Sequence, residues 1–592
     1  MPDPLGQSEQ TSGSGQRSFG GRSAVGPWVA AGFVAAVGAV AVLIPMIHAV
    51  GGAWWGAMGD SAAEAVPSGF GAGGVAPWSE RAVWIVSLVV PILVGLLATA
   101  MAWPLARVLS RTGSARGARV WWVLVACVPM VLPMSVGYAG WSTLRTPAWA
   151  SGRMLENLGG RASEWAGYVI GVGSLVVWLV PMCAVVLSLS LARLSREHED
   201  LLALETARGV RGAAHRLRVR LGVCRGGLAS SFMLAVLLAL SSAVPIHLAN
   251  IPTIAIDLWA ELSARPAAEV WRRATPLVLA MVCIGLAIAI WGGGRLGRER
   301  PEEANFIATR GRPRDVGLSL RTRLLAMLPM VLGVVVPMAI MAVTLREARS
   351  LWRFWIDTGP ALGASLSVSA MVGAVLVLLC VATFYGLSAA GRGGVDGGGG
   401  RSAIRAVVWV MLGVMLAGAL VPGVLIGSAW AGLATALRGL DQDVGLRGVL
   451  AGASEGPMIL IAAHVARFGV VGVLAGIALW RSEEQSLRQA RVLMAGDGLR
   501  AFGVLVLATP TRLAVLAGVA IVGAALSLHE IESAIMVQPP GRASLARQLL
   551  EQLHYLQDER TSASIINLGA LGLLMAAGVA WCAARLRRDD AR

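Results

Sequence analysis

The chain contains no lysine; all 50 of its basic residues are arginine. A Walker A phosphate-binding loop needs Gly-x-x-x-x-Gly-Lys-Ser/Thr, so this chain carries no standard one, and it forms no lysine Schiff base. If ATP powers the protein, another subunit binds the nucleotide. A C-x-x-C pair is also missing. The six cysteines (Cys127, Cys183, Cys224, Cys283, Cys380 and Cys582) are scattered, mostly inside apolar runs. That pattern fits buried structural cysteines rather than a metal or redox centre. Acidic residues are almost missing from the most hydrophobic stretches, and no nucleophile elbow or paired His/Asp motif falls within them.

The rest of the composition is apolar. Of the 592 residues, 56% are hydrophobic and 14% charged, and the mean hydropathy is +0.68. Apolar runs of about 20 residues read as transmembrane helices. Twelve candidates follow: Pro27–Val50, Val83–Leu109, Val120–Trp141, Ala166–Leu191, Leu228–Ile246, Ala274–Trp291, Leu324–Thr344, Leu362–Ala389, Ile404–Leu425, Pro457–Trp480, Leu513–Leu528 and Ile566–Trp581. Runs this continuous exclude a barrel. The expected fold is an all-α polytopic membrane protein of about twelve transmembrane helices.

A net charge of +16 suggests nucleic acid at first sight, but the arginines follow topology. Eight lie between Arg193 and Arg225 and eight between Arg295 and Arg323, whereas Gly51 to Ser79 has none. This positive-inside bias places both termini in the cytoplasm of a cell whose inner membrane the chain crosses many times. Membrane lipids are therefore the expected neighbours, with no nucleic acid. Residues 1–26, rich in Ser, Gly and Gln, are expected to form a disordered cytoplasmic tail, and the first apolar run stays as an anchor rather than a cleaved signal. The 21 tryptophans cluster toward run ends, as interfacial anchors do.

The runs divide into two halves of six, residues 27–296 and 321–592, joined by an arginine-rich cytoplasmic linker at 297–320. Loop charge, helix order and the placing of Gly212 and Gly496, about half a chain apart, agree between the halves. Such a parallel repeat predicts two related bundles about an axis along the membrane normal. A glycine-rich link from Gly391 to Ser402 joins the eighth and ninth runs.

The stretch LALETARGVRGAAHRLRVRLGVCRGG, from Leu202 to Gly227, sits between the fourth and fifth runs. Arg208, Arg211, His215 and Arg218 give it one cationic helical face, and the glycines at 209 and 212 interrupt it. A short amphipathic element of this kind suits a groove on a partner. Glu205-Thr206-Ala207, followed by Gly212, resembles the Glu-Ala-Ala loop of ABC-importer permeases of the binding-protein-dependent, MetI-like superfamily, although the Gly comes one place late. The equivalent second stretch keeps Ala490, Gly496 and Pro510 but lacks the Glu. Two fused permease halves in one chain are similar to the ferric-iron type. Ser527-Leu528-His529-Glu530-Ile531-Glu532, then Pro539-Pro540-Gly541 and Leu545-Ala546, resembles the segment after the eleventh helix there; Val244-Pro245-Ile246 and Thr253 to Glu261 resemble the first-half equivalent. Thiamine, polyamine and oxyanion permeases share this fold.

The resemblance implies a transport subunit without catalytic or metal residues and without a cofactor of its own. ATP is hydrolysed by an ATP-binding-cassette ATPase dimer that docks on Glu205, Ala207, Arg208, Gly212, Ala490 and Gly496. A periplasmic or lipid-anchored binding protein delivers the substrate. Gate or translocation candidates are Pro245, His247, His464, Arg467, His529, Glu530, Glu532 and Pro539. His464 and Arg467 stand one turn apart in the tenth run, where ionisable residues are costly; they line a path or hold helix ends and a neighbouring carboxylate. His247, His529, Glu530, Glu532 and His554 fall outside by topology, where solvated loop charge is the plainer expectation. The main alternative is a secondary transporter of two six-helix repeats, which needs ionisable groups at the midplane. A membrane enzyme or scaffold is the lesser one.

Overall fold

The computed structural model describes residues 25–55, 80–111, 116–192, 210–298, 318–390, 398–444, 456–483, 510–538, 544–554 and 558–585. These are 91% helical, without strands, and twelve helices are long and apolar enough to cross a membrane. The chain is an all-α, multi-pass membrane protein. The inside-out pattern of a bilayer protein is plain on the helix Glu80–Arg111. Leu88, Ile92 and Leu96 face outward, while Val94, Ala98, Ala102 and Leu105 are sealed in the bundle.

The six spans follow one order in each half, although a short helix is placed differently between them. In the first, α1 (Val25–Gly38) and α2 (Ile44–Trp55) form one span interrupted by a π-helical turn at Ala39–Leu43. Then come α3 (Glu80–Arg111), the broken pair α4 (Arg116–Val131) and α5 (Met134–Thr143), the short α6 (Ala150–Asn157), and α7 (Gly160–Leu191). Next are α8 (Val210–Ser241), two short helices α9 (Val244–Leu248) and α10 (Ile254–Ala264), and α11 (Ala267–Arg298). In the second half, α12 (Leu320–Met330), a π-helical turn at Val331–Val335 and α13 (Val336–Thr344) repeat the opening span. After the short α14 (Arg349–Asp357) come α15 (Gly359–Ala390), the broken pair α16 (Gly398–Leu420) and α17 (Gly423–Val444), and α18 (Pro457–Ser482). The half closes with α19 (Pro510–Leu528), short α20 (Glu532–Val537) and α21 (Leu545–His554), and α22 (Asp558–Arg585).

Two sequence expectations need correction. The run Val120–Trp141 is not one straight span: α4 and α5 meet at an angle of 78°. The run Ile404–Leu425 likewise ends at Leu420, and α17, itself apolar enough to cross, starts after it. Proline explains both. Pro133 and Pro422 lack an N–H and push Leu132 and Val421 out of helical backbone space. The glycine-rich link is also shorter than expected, because α16 begins at Gly398; residues 391–397, the tail 1–24 and residues 299–317 of the linker lie outside the described part.

The halves are intertwined. Spans two, four and five of each half pack on one another, as α3, α7 and α8 and as α15, α18 and α19. The opening span of each half, however, lies against the other. The first (α1, α2) packs on α15, α16 and α17, and the second (α12, α13) on α3, α4, α5 and α7. The last helix of each half crosses the broken helix of its counterpart, α11 on α16 and α22 on α4. Gly285 and Gly413 permit one crossing: a Cβ on Gly285 would lie 2.7 Å from the Gly413 carbonyl oxygen. Tryptophans repeat the exchange. A π-turn frees a carbonyl. Trp141 of α5 donates its indole N–H to Leu332 O (2.9 Å) in the second π-turn, and Trp430 of α17 donates to Ala41 O (3.2 Å) in the first. Each Trp stands at the same distance in sequence beyond its breaking proline. Trp141 and Trp430 are thus cross-half ties rather than interfacial anchors.

Candidate functional site

The break at Pro422 meets a buried group of charges. Arg467 sits ten residues into α18, roughly 15 Å along it at 1.5 Å per residue. That is about half the hydrocarbon thickness of a bilayer. It is 9% exposed, and Glu530 and Glu532, which follow α19, are 7% and 2% exposed. The guanidinium donates to the carbonyl of Val421 (2.7 Å), just past the C-terminus of α16. Its Nε lies 3.6 Å from Glu530 and its Nη2 3.6 Å from Glu532.

Glu532 ties the halves together. Its Oε1 accepts the backbone N–H groups of Ala243 and Val244 (3.2 Å for the latter), where α9 begins in the first half. Its Oε2 accepts the N–H of Gly423 (3.1 Å), the first residue of α17. A carboxylate on helix N-termini and a guanidinium on a C-terminal carbonyl are the pairings that helix-end partial charges favour. Glu530 accepts from the backbone N–H and hydroxyl of Ser533 (3.1 and 3.0 Å), holding the start of α20. His464, 3% exposed and one turn before Arg467, shares a 2.7 Å hydrogen bond between Nδ1 and the Ser527 hydroxyl, while its Nε2 has no hydrogen-bond partner among the described residues. Burial pushes the Glu532 carboxyl above the ordinary range; Arg467 and the backbone donors pull against it, and the neighbouring Glu530 adds to it.

Of the gate candidates, the structure brings together Arg467, Glu530, Glu532 and His464, with Pro245 buried at the first turn of α9. The expectation of solvated loop charge is overturned for Glu530 and Glu532, because the chain after α19 folds back into the bundle. His247 sits apart, its ring 4.8 Å from that of Trp259. His529 is half-buried, and burial lowers its imidazole below the ordinary histidine range. Pro539 and the side chain of His554 lie outside the described residues. Sequence reasoning missed Ser527, Ser533 and the backbone donors at 243, 244 and 423; Pro422, set beside Pro133, was the available signal.

Of the docking candidates, Glu205, Ala207, Arg208, Ala490 and Gly496 lie outside the described residues, and Gly212 falls in the first turn of α8. The ends of the segment 484–509 are held together. Glu483, closing α18, pairs with Arg512 of α19 at 3.0 Å, and that guanidinium lies 5.3 Å from the ring centroid of Phe384 on α15. Among the described residues, no group of three or more His, Cys, Asp or Glu side chains is placed to hold a metal ion. The charged group clamps helix ends. No family model, curated protein or solved structure matches the chain. Its class therefore rests on the bundle itself: twelve apolar helices that fit a membrane transporter.

Proposed function

We propose that the chain is the permease subunit of an ATP-binding-cassette importer, with both membrane halves in one polypeptide. One observation carries this reading: the segments 193–209 and 484–509 occupy equivalent places in the repeat, each between spans four and five of its half. A two-fold ATPase dimer needs two such docking points. Glu205 and the missing Walker lysine support it from the sequence.

A path from docking to gate follows. α8 and α19 start at the two docking segments. They end at Ser241 and Leu528, just before the two sides of one contact: Ala243 and Val244 on one side, Glu532 on the other. Closure of the ATPase dimer moves the near ends of α8 and α19, and the contact at their far ends opens or shuts. A ligand shifts this balance only by its differential affinity for the two states. A binding protein delivers the substrate at the far side of the membrane, and ferric iron is the first substrate to test, on the sequence layout alone.

A second reading, a secondary transporter, is favoured by the buried carboxylates Glu530 and Glu532, which stand where such a protein keeps coupling groups. Purification of the tagged full-length chain from its own host, with mass spectrometry of what accompanies it, separates the two. The importer reading expects a Walker-A ATPase with the wild type and its loss with Glu205→Arg. Folded chain recovered alone from both would transfer the assignment to the secondary transporter.

A further inference from the structure

The short helix α14 has three faces of different character. Successive side chains stand about 100° apart around a helix, so Trp355, Trp352 and Ile356 share an arc of about 100°. They are 46%, 68% and 63% exposed. The neighbouring arc carries Arg349, Arg353 and Asp357, also exposed. The third holds Ser350 and Phe354, both buried against the bundle. Trp141 and Trp430 bond across the halves; Trp352 and Trp355 turn away from the bundle.

Depth decides what meets the aromatic face. α14 packs along α22, which runs about 42 Å at 1.5 Å per residue. A bilayer with its headgroups is about as thick, and its hydrocarbon core about 30 Å. The Ser350 hydroxyl donates to Glu559 (2.6 Å) at the start of α22, and the Asn567 side chain donates to the Leu351 carbonyl (3.2 Å). From Glu559 to Asn567 is about 12 Å along the helix. The headgroup layer takes up only about 6 Å at each end of such a helix, so α14 straddles the boundary between headgroups and acyl chains. Val343, in the last turn of the span that leads into α14, also faces outward, so apolar surface reaches the edge of the bundle there.

We propose that α14 is a bilayer-seating helix, whose Trp352–Trp355–Ile356 face binds phospholipid at the headgroup–acyl boundary. Tryptophan suits this depth, because its ring is apolar and its indole N–H reaches the wet side. Arg349 and Arg353 border the aromatic arc one turn apart, and their long stems carry the guanidinium groups from it to the phosphates. α14 joins α13, which packs on α5 of the first half, to α15 of the second. The membrane surface therefore holds the junction of the two halves at a fixed depth.

This inference goes beyond the importer reading and does not depend on it. The test is power-saturation electron paramagnetic resonance of the full-length protein in phospholipid nanodiscs. Oxygen concentrates among acyl chains and a nickel chelate stays in water, so the ratio of their effects reports where a nitroxide sits. Labels are introduced one at a time through Trp352→Cys, Arg353→Cys, Ile356→Cys and Asp357→Cys on a Cys283→Ser parent. Cys283 is the exposed native cysteine, and the labelled parent gives the background. Size-exclusion chromatography selects folded variants, and either adjacent pair, 352 with 353 or 356 with 357, decides by itself. The oxygen-to-nickel ratio should be several-fold higher at 352 and 356 than at 353 and 357. A ratio no higher at 352 and 356 would overturn the inference, because the aromatic face would then stand in water. Shielding of 352 and 356 from both reagents would overturn it too, because protein would then cover the face. Neither result bears on whether an ATPase co-purifies.

Discussion

Glu532→Ala is the perturbation whose cost the structure sets most clearly. The substitution removes the acceptor from three backbone N–H groups, at Ala243, Val244 and Gly423, and strips Arg467 of one of its two carboxylates. A buried donor left without an acceptor costs about 1–3 kcal/mol. Glu530, 3.6 Å from the guanidinium, remains to balance Arg467, so the substitution leaves no uncompensated buried charge. The cost is therefore that of the three N–H groups, and with water entering the space to offset part of it the expected destabilisation is about 3–5 kcal/mol. Glu551→Ala is the matched control. It breaks a shorter contact, 2.7 Å from Arg547, but between side chains 53% and 39% exposed. An exposed i,i+4 pair is worth about 0.3–0.5 kcal/mol. Depth, not distance, thus makes the two losses differ by close to an order of magnitude. Denaturant unfolding in mild detergent, followed by tryptophan fluorescence, measures both. A Glu532→Ala loss within about 1 kcal/mol of the Glu551→Ala loss, the usual size of a single surface effect, would refute the reasoning.

Further outcomes follow from the intertwined halves. Trp141→Phe and Trp430→Phe should each cost about 1 kcal/mol, the net worth of one hydrogen bond; their equality is the signature of the repeat, and a neutral Trp430→Phe beside a costly Trp141→Phe would contradict it. Gly285→Val places a side chain against the Gly413 carbonyl and should destabilise by about 1–3 kcal/mol, as overpacking does, whereas Gly222→Val, at a glycine whose surroundings are open, should cost well under that in the same unfolding assay.

The spans were legible because a bilayer demands long apolar helices, and eleven of the twelve runs overlap a helix that passes as a span. The breaks were less legible. Hydropathy does not change at Leu132-Pro133 or Val421-Pro422, so an apolar run conceals a backbone that turns. The likeness of the two broken pairs emerges only when both are laid beside the π-interrupted opening spans. Arg467 and His464 announced themselves by lying inside an apolar run. Glu530 and Glu532 did not: placed after a run, they carry the marks of a solvated loop, and only the folding back of α20 beneath α17 and α18 buries them. Their hydrogen-bond partners are backbone N–H groups of Ala243, Val244 and Gly423, and a main-chain donor has no residue-type signature.

The importer assignment is tested most directly at the docking loop. A photo-activated crosslinker placed at Thr206, between Glu205 and Ala207, would be triggered in native membranes of the host and its adducts identified by mass spectrometry. The account predicts a protein adduct that carries a Gly-x-x-x-x-Gly-Lys-Ser/Thr motif, lost when ATPase docking is blocked by Glu205→Arg. Adducts to lipid alone, from a full-length and correctly inserted chain, would contradict it.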